Sequence, residues 1–402
     1  MRYCLLLIWL ISSGAWAQHS ADLIPREVLF DDFVHRNIKL APDGQRVYYQ
    51  HSDQPASLFY REGPDFSSEK TLTPPTGFSQ YEPLNDGRVC YLSQKDIGDE
   101  LVIIGEQVET LFADSLGLII SLQRDGNSAR NDLLAAIHGK EGMEGYYAIP
   151  IESDGSMKRV CQLFDHGKVY FDASFNPVAA RGSGPNRTRL FYYRKDDEWV
   201  LFDRLPWEES MFIGGLSQIV SVSADGKWVF FTSHSGSDKV QWRKLNTNSG
   251  KVETIATDGL ADMLPWVPVI GPDGHPDAVV ALFETTHRQY LDQEIEADCV
   301  WLESQIDGDL SFSGFSNDHK TWLVRQLNGG PVLYFVFNRE ARSLTPLFYD
   351  RPHLQEYELA NRKGFVVETR DDRKLPLHVY LPPGSDSNKD GIPDKPLPSV
   401  MY

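Results

Sequence analysis

Short runs of alternating apolar and polar residues, separated by Asp-Gly or Asn-rich turns, recur along most of the chain. In residues 38–49, one such run is followed by Asp43-Gly44 and a second run, and residues 219–231 repeat this pattern around Asp225-Gly226. Alternation with a period of two predicts half-buried strands. Asp-Gly between two runs predicts a hairpin of type I′, in which both central residues have positive φ. Helical periodicity is confined to a short candidate at residues 25–34.

The turns themselves mark a repeat. Weaker copies of the two turns centre on Asp86-Gly87, Asp125-Gly126, Asn176-Pro177, Asp273-Gly274 and Asn317-Asp318, so that successive anchors are 39 to 51 residues apart. A period of about 40–50 residues built of strands alone is typical of a β-propeller with one four-stranded sheet per blade. An all-β sandwich also uses such turns, but it seldom keeps one period over about 300 residues. Seven anchors therefore predict an all-β, seven-bladed propeller with hairpins at the anchors.

The first residues have the pattern of an export signal. Arg2 precedes an apolar run at residues 5–11, and Ala15-Trp16-Ala17 matches a signal-peptidase motif. The run is too short to span a bilayer, which needs about 20 residues. We therefore expect residues 1–17 to be removed and the mature chain to be periplasmic or secreted.

The charge balance argues against nucleic acid as a partner. The chain carries a formal net charge of −18, which becomes −19 if Arg2 is lost with the leader. Binding to phosphates needs lysine and arginine gathered on one face. We expect neither a nucleic-acid partner nor a membrane span in the mature chain.

Three cysteines remain beyond the leader, namely Cys90, Cys161 and Cys299, all in strand-like contexts. An odd number of widely spaced cysteines predicts neither a disulfide framework nor a zinc site. We expect these cysteines to be buried thiols of the core. In an oxidising compartment, one disulfide between two of them is the alternative.

Several stretches of the chain are similar to one known family. They are residues 24–30 followed by the hairpin at 41–44, residues 171–180, residues 315–324, residues 334–348 and residues 366–384. Together they resemble bacterial peptidases of the prolyl oligopeptidase family, of the dipeptidyl aminopeptidase and acylaminoacyl-peptidase types. The resemblance is diffuse over the propeller and sharper over the last 90 or so residues.

The resemblance implies a domain organisation. After the signal peptide at 1–17, residues 18–36 form an N-terminal segment, residues 37–358 the propeller, and residues 359–402 an incomplete start of the α/β-hydrolase domain, with strands at 366–368, 377–381 and 399–402. Those strands lack a partner sheet, and a lone hairpin is marginal in water. We therefore expect residues after about 360 to be mobile or loosely attached, with apolar side chains facing water.

The family's catalytic residues match no position of this chain. The sequence contains no Gly-x-Ser-x-Gly nucleophile elbow. Asn328-Gly329-Gly330-Pro331 imitates the family's oxyanion turn, but it lies between two strand patterns and predicts a hairpin loop. We assign no catalytic and no cofactor-binding residue, and we expect the chain alone to be inactive.

The resemblance implies that the propeller gates and selects peptide substrates for a catalytic domain that is not in this chain. Two origins stay open, a fragment or truncated product of a larger peptidase and a free-standing propeller. The alternative function is a periplasmic, non-catalytic binding propeller of the TolB type. The strand pattern after residue 377 favours the peptidase, because a scaffold has no use for it.

One acidic loop has the spacing of a calcium site. Oxygen-bearing side chains at Asp386, Asn388 and Asp390, a glycine next, the backbone of Ile392 and the carboxylate of Asp394 imitate the first part of an EF-hand loop. The bidentate glutamate at position 12 is missing, since Leu397 stands there. The pattern predicts either a calcium loop or a solvated acidic turn, and the sequence leaves both open.

Overall fold

The computed structural model describes residues 23–401, apart from 75–77, 96–97, 106–107, 113–117, 125–132, 139–143, 152–156, 163–166, 207–215 and 328. Strand accounts for 52% and helix for 8% of the structure, which is all-β with seven propeller blades. The predicted fold class is therefore confirmed. The predicted signal peptide and the anchor at Asp125 lie outside the described residues.

Each blade is one uninterrupted stretch of antiparallel strands, paired in chain order. The first three blades consist of β1 (His35–Leu40), β2 (Arg46–His51), β3 (Gln54–Glu62) and β4 (Glu69–Leu72); β5 (Phe78–Pro83), β6 (Val89–Lys95), β7 (Gly98–Ile104) and β8 (Val108–Phe112); and β9 (Leu118–Arg124), β10 (Leu133–His138), β11 (Gly145–Ile149) and β12 (Lys158–Cys161). Blades four and five consist of β13 (Lys168–Phe171), β14 (Pro177–Ser183), β15 (Arg189–Lys195) and β16 (Glu198–Leu205); and β17 (Gln218–Val222), β18 (Trp228–Ser233), β19 (Gln241–Asn246) and β20 (Val252–Ala256).

The last two blades are followed by a separate hairpin. Blade six consists of β21 (Met263–Ile270), β22 (Pro276–Leu282) and β23 (Thr286–Tyr290), and blade seven of β24 (Asp309–Phe315), β25 (Thr321–Leu327), β26 (Leu333–Asn338) and β27 (Ser343–Tyr349). The hairpin pairs β28 (Asn361–Glu368) with β29 (Lys374–Leu381). In the described part of the chain the helices are α1 (Arg26–Leu29) and α2 (Gln293–Gln305), with 3₁₀ turns at Pro185–Arg187 and Pro352–Glu356.

The first strand of each blade is the innermost one. These strands contact the first strands of neighbouring blades, as β17 contacts β21 and β21 contacts β24. They begin at residues 35, 78, 118, 168, 218, 263 and 309, which reproduces the predicted period. The hydrophobic core lies between adjacent blades, where a shared cluster of side chains fills each interface.

The ring closes between the first and last blades without exchange of a strand. Leu40 and Val47 of blade one pack with Leu323 of blade seven. Across the same junction the amide of Asn317 donates to the carbonyl of Pro42 at 2.8 Å. Side-chain packing and a few backbone bonds therefore hold the two ends together.

The predicted anchors lie between the first and second strands of their blades, but the turn type was wrong. Gly44 has φ of +71°, whereas Asp43 is not among the residues with positive φ. The amide of Gly44 donates to the carbonyl of Ala41, which makes residues 41–44 a type I turn ending in a left-handed glycine. Pro42 fixes a negative φ that suits the second position of type I. Asp43 Oδ1 accepts the amide of Gln45 at 2.9 Å, so the aspartate closes an Asx turn instead of adopting positive φ itself.

Blade six departs from the predicted four strands. After its three strands the chain enters α2, whose N-cap Asp292 accepts the amides of Glu294 and Ile295 at 2.9 and 3.0 Å. Ile295, Cys299 and Leu302 are buried against the core that blades six and seven share. The helix thus covers an edge where the other blades have a fourth strand, and Cys299 lies on a helix instead of in the predicted strand.

The other sequence predictions for short elements have mixed outcomes. The helical candidate at residues 25–34 forms only one turn, α1; residues 30–34 form a turn and irregular structure before β1 begins at His35. Residues 329–331 lie between β25 and β26 as predicted, while Asn328 is outside the described part. Residues 399–401, predicted as part of a further hydrolase strand, pair with no described strand, and Tyr402 is not described; this assignment stays a prediction.

Candidate functional site

The hairpin of β28 and β29 lies against one face of the propeller, at the ends of blades six and seven. We call this the hairpin face; on it the second strand of each blade ends and the third begins. The opposite face, the turn face, carries the Asp-Gly turns. The Arg362 guanidinium forms an ion pair with Asp309 at 2.9 Å, and His378 Nε2 donates to the carbonyl of Glu284 at 3.2 Å. Gly364 lies so close to Glu284 that a Cβ atom there would be 2.3 Å from the Glu284 carbonyl oxygen.

The predicted strands at 366–368 and 377–381 are confirmed within this hairpin, as is their exposure to water. Val367 and Leu375 remain 46% and 52% exposed. The hairpin is attached to the propeller through the polar and backbone contacts above. Mobility of this segment stays a prediction, and so does its assignment to the start of a hydrolase domain.

Beneath the hairpin, blades six and seven enclose a cavity of about 430 Å³. Its walls are mainly apolar and come from β21, β22 and β24, with Arg362 of the hairpin at one edge. Trp266 at this cavity is 56% exposed, which is unusual for a large aromatic side chain. Such a cavity has the size and lining that accept an apolar side chain of a ligand.

A second cavity, of about 390 Å³, opens on the turn face. It is lined by the turns of blades four to seven, including Phe175, Ala224, Pro272 and His319. Backbone bonds connect neighbouring turns here: the amide of Ala173 donates to Ala224, and that of Ala224 to Asp273, at 3.2 and 2.7 Å. Backbone bonds therefore link the turns of blades four, five and six in series.

The candidate calcium loop folds back on its own backbone. Asp386 Oδ2 accepts the amide of Gly391 at 2.7 Å, and Asp390 Oδ1 accepts that of Ile392 at 2.7 Å. Asn388 Oδ1 accepts the amide of Asp390 at 3.2 Å. The structure thus brings Asp386, Asn388 and Asp390 together in one tight turn.

The remaining candidate ligand, Asp394, closes the base of the loop. Its carboxylate accepts the amide of Ser387 at 3.2 Å and the hydroxyl of Ser387 at 3.1 Å. Within the described part of the chain, no group of three or more His, Cys, Asp or Glu side chains has the arrangement of a metal site. Calcium binding by this loop stays a prediction.

The three described cysteines are free thiols. Cys90 and Cys299 are buried, as predicted, whereas Cys161 is only partly buried. Burial raises the pKa of Cys161 to about 11 and that of Cys299 to about 12. Both thiols are therefore protonated near neutral pH, which suits a packing role and not a nucleophile.

Among the described residues, no helix is both long and apolar enough to cross a membrane.

Two curated proteins match almost the whole chain. Dipeptidyl aminopeptidase BIII of Pseudoxanthomonas mexicana is 24% identical over 400 residues, covering 94% of this chain and 56% of the relative. Dipeptidyl peptidase family member 6 of Caenorhabditis elegans is 20% identical over 407 residues, covering 94% and 54%. The chain is thus similar to the propeller region of peptidases of the prolyl oligopeptidase family. It spans about half the length of these relatives.

Solved structures agree on the fold. A puromycin-hydrolyzing peptidase of Mycobacterium tuberculosis superposes with a TM-score of 0.54 at 11% identity, covering 90% of this chain and 60% of that one. TolB from Acinetobacter baumannii superposes with a TM-score of 0.36 at 13% identity, covering 76% of this chain and 64% of that one. No protein-family model matches the chain.

Proposed function

We propose that this chain is the gating and substrate-selecting propeller of a serine peptidase of the prolyl oligopeptidase family. The observation that carries the proposal is the match of 94% of the chain to dipeptidyl aminopeptidase BIII, over 56% of that protein. The closed seven-bladed ring and the hairpin on one of its faces are consistent with this role. Hydrolysis itself would come from a hydrolase domain that supplies nucleophile, base and oxyanion donors.

The geometry suggests how such a propeller selects substrates. In this proposal, substrates reach the hydrolase domain through the central channel or across the hairpin face, and these routes admit short peptides but not folded proteins. The apolar cavity at Trp266 lies on that face and offers a place for an apolar side chain of a peptide. The propeller then contributes binding and exclusion, and the chemistry belongs to the other domain.

A direct test joins this chain to the hydrolase region of dipeptidyl aminopeptidase BIII. The fusion should release chromogenic groups from aminoacyl and prolyl dipeptide substrates and should spare an unfolded protein of about 100 residues. The chain alone should release nothing and should not react with a fluorophosphonate serine probe. A fusion whose hydrolase nucleophile is replaced by alanine is the control. Stoichiometric labelling of the chain alone, or equal cleavage of long and short substrates by the fusion, would contradict the proposal.

We also propose that residues 1–17 direct export. The support is the sequence pattern of Arg2, the apolar run and the Ala15-Trp16-Ala17 motif. N-terminal sequencing of protein recovered outside the cytoplasm should begin at Gln18. Recovery of full-length protein in the cytoplasm alone would refute it.

We further propose that the loop at residues 386–394 binds calcium, on the support of its ligand spacing. Calcium should then perturb amide NMR signals of this loop at millimolar concentration, and Asp386→Asn should abolish the effect. Asp372→Asn, an exposed change in the hairpin turn, is the matched control. Equal perturbation in wild type and D386N would identify the loop as a solvated turn.

A further inference from the structure

The innermost strand of blade six contains a wide bulge. The pairing of β21 with β22 is regular up to Leu264 and resumes at Val269, so residues 265–268 lie opposite the single residue Val279. A proline stands at each end of this bulge, and proline cannot donate a hydrogen bond to a neighbouring strand. Prolines within a sheet are found at such irregularities. The sequence itself therefore interrupts the strand pairing at this point.

The bulge presents Trp266 at the cavity between blades six and seven. Bulges re-aim side chains and are over-represented next to active sites. Trp266 lines the cavity and is 56% exposed, whereas Trp242 in blade five and Trp322 in blade seven are completely buried. An aromatic side chain that stays half in water while it forms a wall of a cavity offers its surface to a ligand.

The charges at the cavity cancel each other. Asp309 and Arg362 are the charged residues in the described part of the lining, and Arg362 Nη2 donates to Asp309 Oδ2 at 2.9 Å. Leucine and valine side chains supply much of the remaining wall. Burying an unpaired charge in such surroundings is costly, whereas an apolar group is accepted readily. The cavity therefore suits a neutral, apolar group of a ligand.

The hairpin holds Arg362 at the edge of the cavity. Arg362 and Gly364 are two residues apart on β28, and positions with this spacing face the same side of a strand. That side faces the propeller, because Gly364 packs against the backbone of Glu284. His378, the cross-strand partner of Gly364, donates to the Glu284 carbonyl at 3.2 Å. These contacts fix a planar guanidinium at the cavity, and such a plane stacks on aromatic rings.

The cavity is large enough for an aromatic ring and the backbone that carries it. An apolar protein cavity of about 150 Å³ binds benzene. The cavity at Trp266 has a volume of about 430 Å³. Aromatic pairs contribute stabilisation beyond the area that they bury, and an aliphatic side chain would gain no stacking with Trp266 or Arg362. Size and wall chemistry together favour an aromatic side chain over an aliphatic one.

We propose that the cavity at Trp266 is a pocket for an aromatic side chain of a peptide, and that Trp266 and Arg362 recognise the ring. The identification of the ligand as a peptide rests on the proposed function. The pocket adds a preference for one side chain to the selection by size that the channel provides.

The test measures binding of three capped tetrapeptides to the 402-residue chain by isothermal titration calorimetry. The peptides are acetyl-Ala-Phe-Ala-Ala-amide and the same sequence with leucine or alanine at the second position. We expect the phenylalanine peptide to bind at least about tenfold more tightly than the alanine peptide, as burial of a phenyl ring permits. The leucine peptide should lie between them. Because the peptides carry no charge, the preference should change less than about twofold between roughly 0.05 and 0.3 M salt.

Variants assign the preference to the pocket. Trp266→Ala should reduce it by about tenfold, and Trp266→Phe should retain most of it. Leu282→Trp fills the cavity from a position that is 42% exposed, and it should weaken binding of the phenylalanine peptide by a similar factor. The matched control is Phe30→Ala, which removes a 74% exposed ring in the N-terminal segment and should leave binding unchanged. All four variants should melt close to wild type, because the changed side chains are exposed.

The outcomes separate the pocket from the peptidase function. Equal affinity of wild type for the phenylalanine and alanine peptides, or an equal loss in W266A and F30A, would overturn the pocket. A leucine peptide that binds as tightly as the phenylalanine peptide would refute the aromatic preference. These results leave the peptidase proposal standing, because the fusion is judged by cleavage. A phenylalanine preference of the chain beside an inactive fusion would retain the pocket and remove the peptidase function.

Discussion

Blade seven and the C-terminal hairpin have the same local design and opposite surroundings. Both are antiparallel sheets with alternating apolar residues. In blade seven, Trp322, Leu323 and Phe337 are completely buried. In the hairpin, Val367 and Leu375 remain about half exposed, at 46% and 52%.

The difference lies in what covers each sheet. Blade seven is packed between blade one on one side and blade six with α2 on the other. The hairpin contacts the propeller through one ion pair and the backbone around Glu284. An alternating pattern is thus sufficient to form strands, while the stability of a sheet comes from a second layer. Four measurements test this contrast.

The largest effect is expected at Trp322. Trp322→Ala removes a fully buried indole whose Nε1 donates to the carbonyl of His319 at 2.9 Å. The free energy of unfolding should fall by roughly 3–5 kcal/mol. Leu375→Ala in the hairpin should cost less than about 0.5 kcal/mol, as for exposed positions. Urea unfolding followed by tryptophan fluorescence measures both, and similar losses would show that the hairpin is covered.

A smaller, pH-dependent effect is expected in blade six. Burial, followed by repulsion from Asp292 and Asp273, raises the pKa of Asp277 to about 6. Because its pKa is raised, Asp277 binds its proton more tightly in the folded than in the unfolded chain. Below the pKa of the unfolded chain this carboxyl therefore does not destabilise the fold, and stability is lost as the pH rises through about 6. Asp277→Asn should therefore stabilise the protein at pH 7 by roughly 1–2 kcal/mol, allowing for solvent screening.

The gain from Asp277→Asn should disappear below about pH 4, where the carboxyl is protonated in both states. Melting temperatures across pH 4 to 8 measure it, with Asp372→Asn in the exposed hairpin turn as the control. A gain that is independent of pH would assign the effect to packing instead of titration.

The next effect concerns the helix that covers blade six. Asp292→Ala removes the side chain that accepts the amides of Glu294 and Ile295. Loss of such a cap typically costs about 1 kcal/mol. Asp292→Ser, which can still cap, should recover most of it. Circular dichroism at 222 nm during urea unfolding compares the three proteins; equal stability of alanine and serine variants would contradict a capping role.

The smallest effect is expected at the hairpin contact. Arg362→Gln removes the ion pair with Asp309, in which both side chains are about 30% exposed. Global stability should change by less than about 1 kcal/mol. Hydrogen exchange of residues 361–381 should accelerate while blade seven is unchanged. Exchange that accelerates equally in blade seven would mean that the hairpin and the blade unfold together.

Local signals explain why the repeat was predictable. Asp43-Gly44, Asp225-Gly226 and Asp273-Gly274 specify turns through neighbouring atoms alone, so their positions and the blade period follow from the sequence. The predicted turn type was wrong because it ignored two local effects. Pro42 fixes a negative φ, and the Asp43 side chain accepts a backbone amide. In the turn after Asp318, His319 has the positive φ, of +56°, that a glycine has in the other turns. The sequence did not indicate that a histidine would adopt this conformation.

Features outside the turn repeat were predicted less well. Ile295, Cys299 and Leu302 have helical spacing after a capping aspartate, a signal that existed but was outweighed by the strand period. Residues 399–401 have a strand composition yet pair with nothing in the structure. The calcium prediction rests on local spacing alone and stays a prediction.

Because each blade is a single uninterrupted segment of the chain, the protein is suited to assembly during synthesis. At about 5–20 residues per second, a ribosome delivers a new blade every few seconds, and each blade can pair its strands without waiting for later sequence. The contacts that close the ring, chiefly those between blades one and seven, join parts of the chain that are made far apart in time. Before that final step, the exposed side of the growing ring is an apolar surface, and this interval is where a chaperone would be most needed.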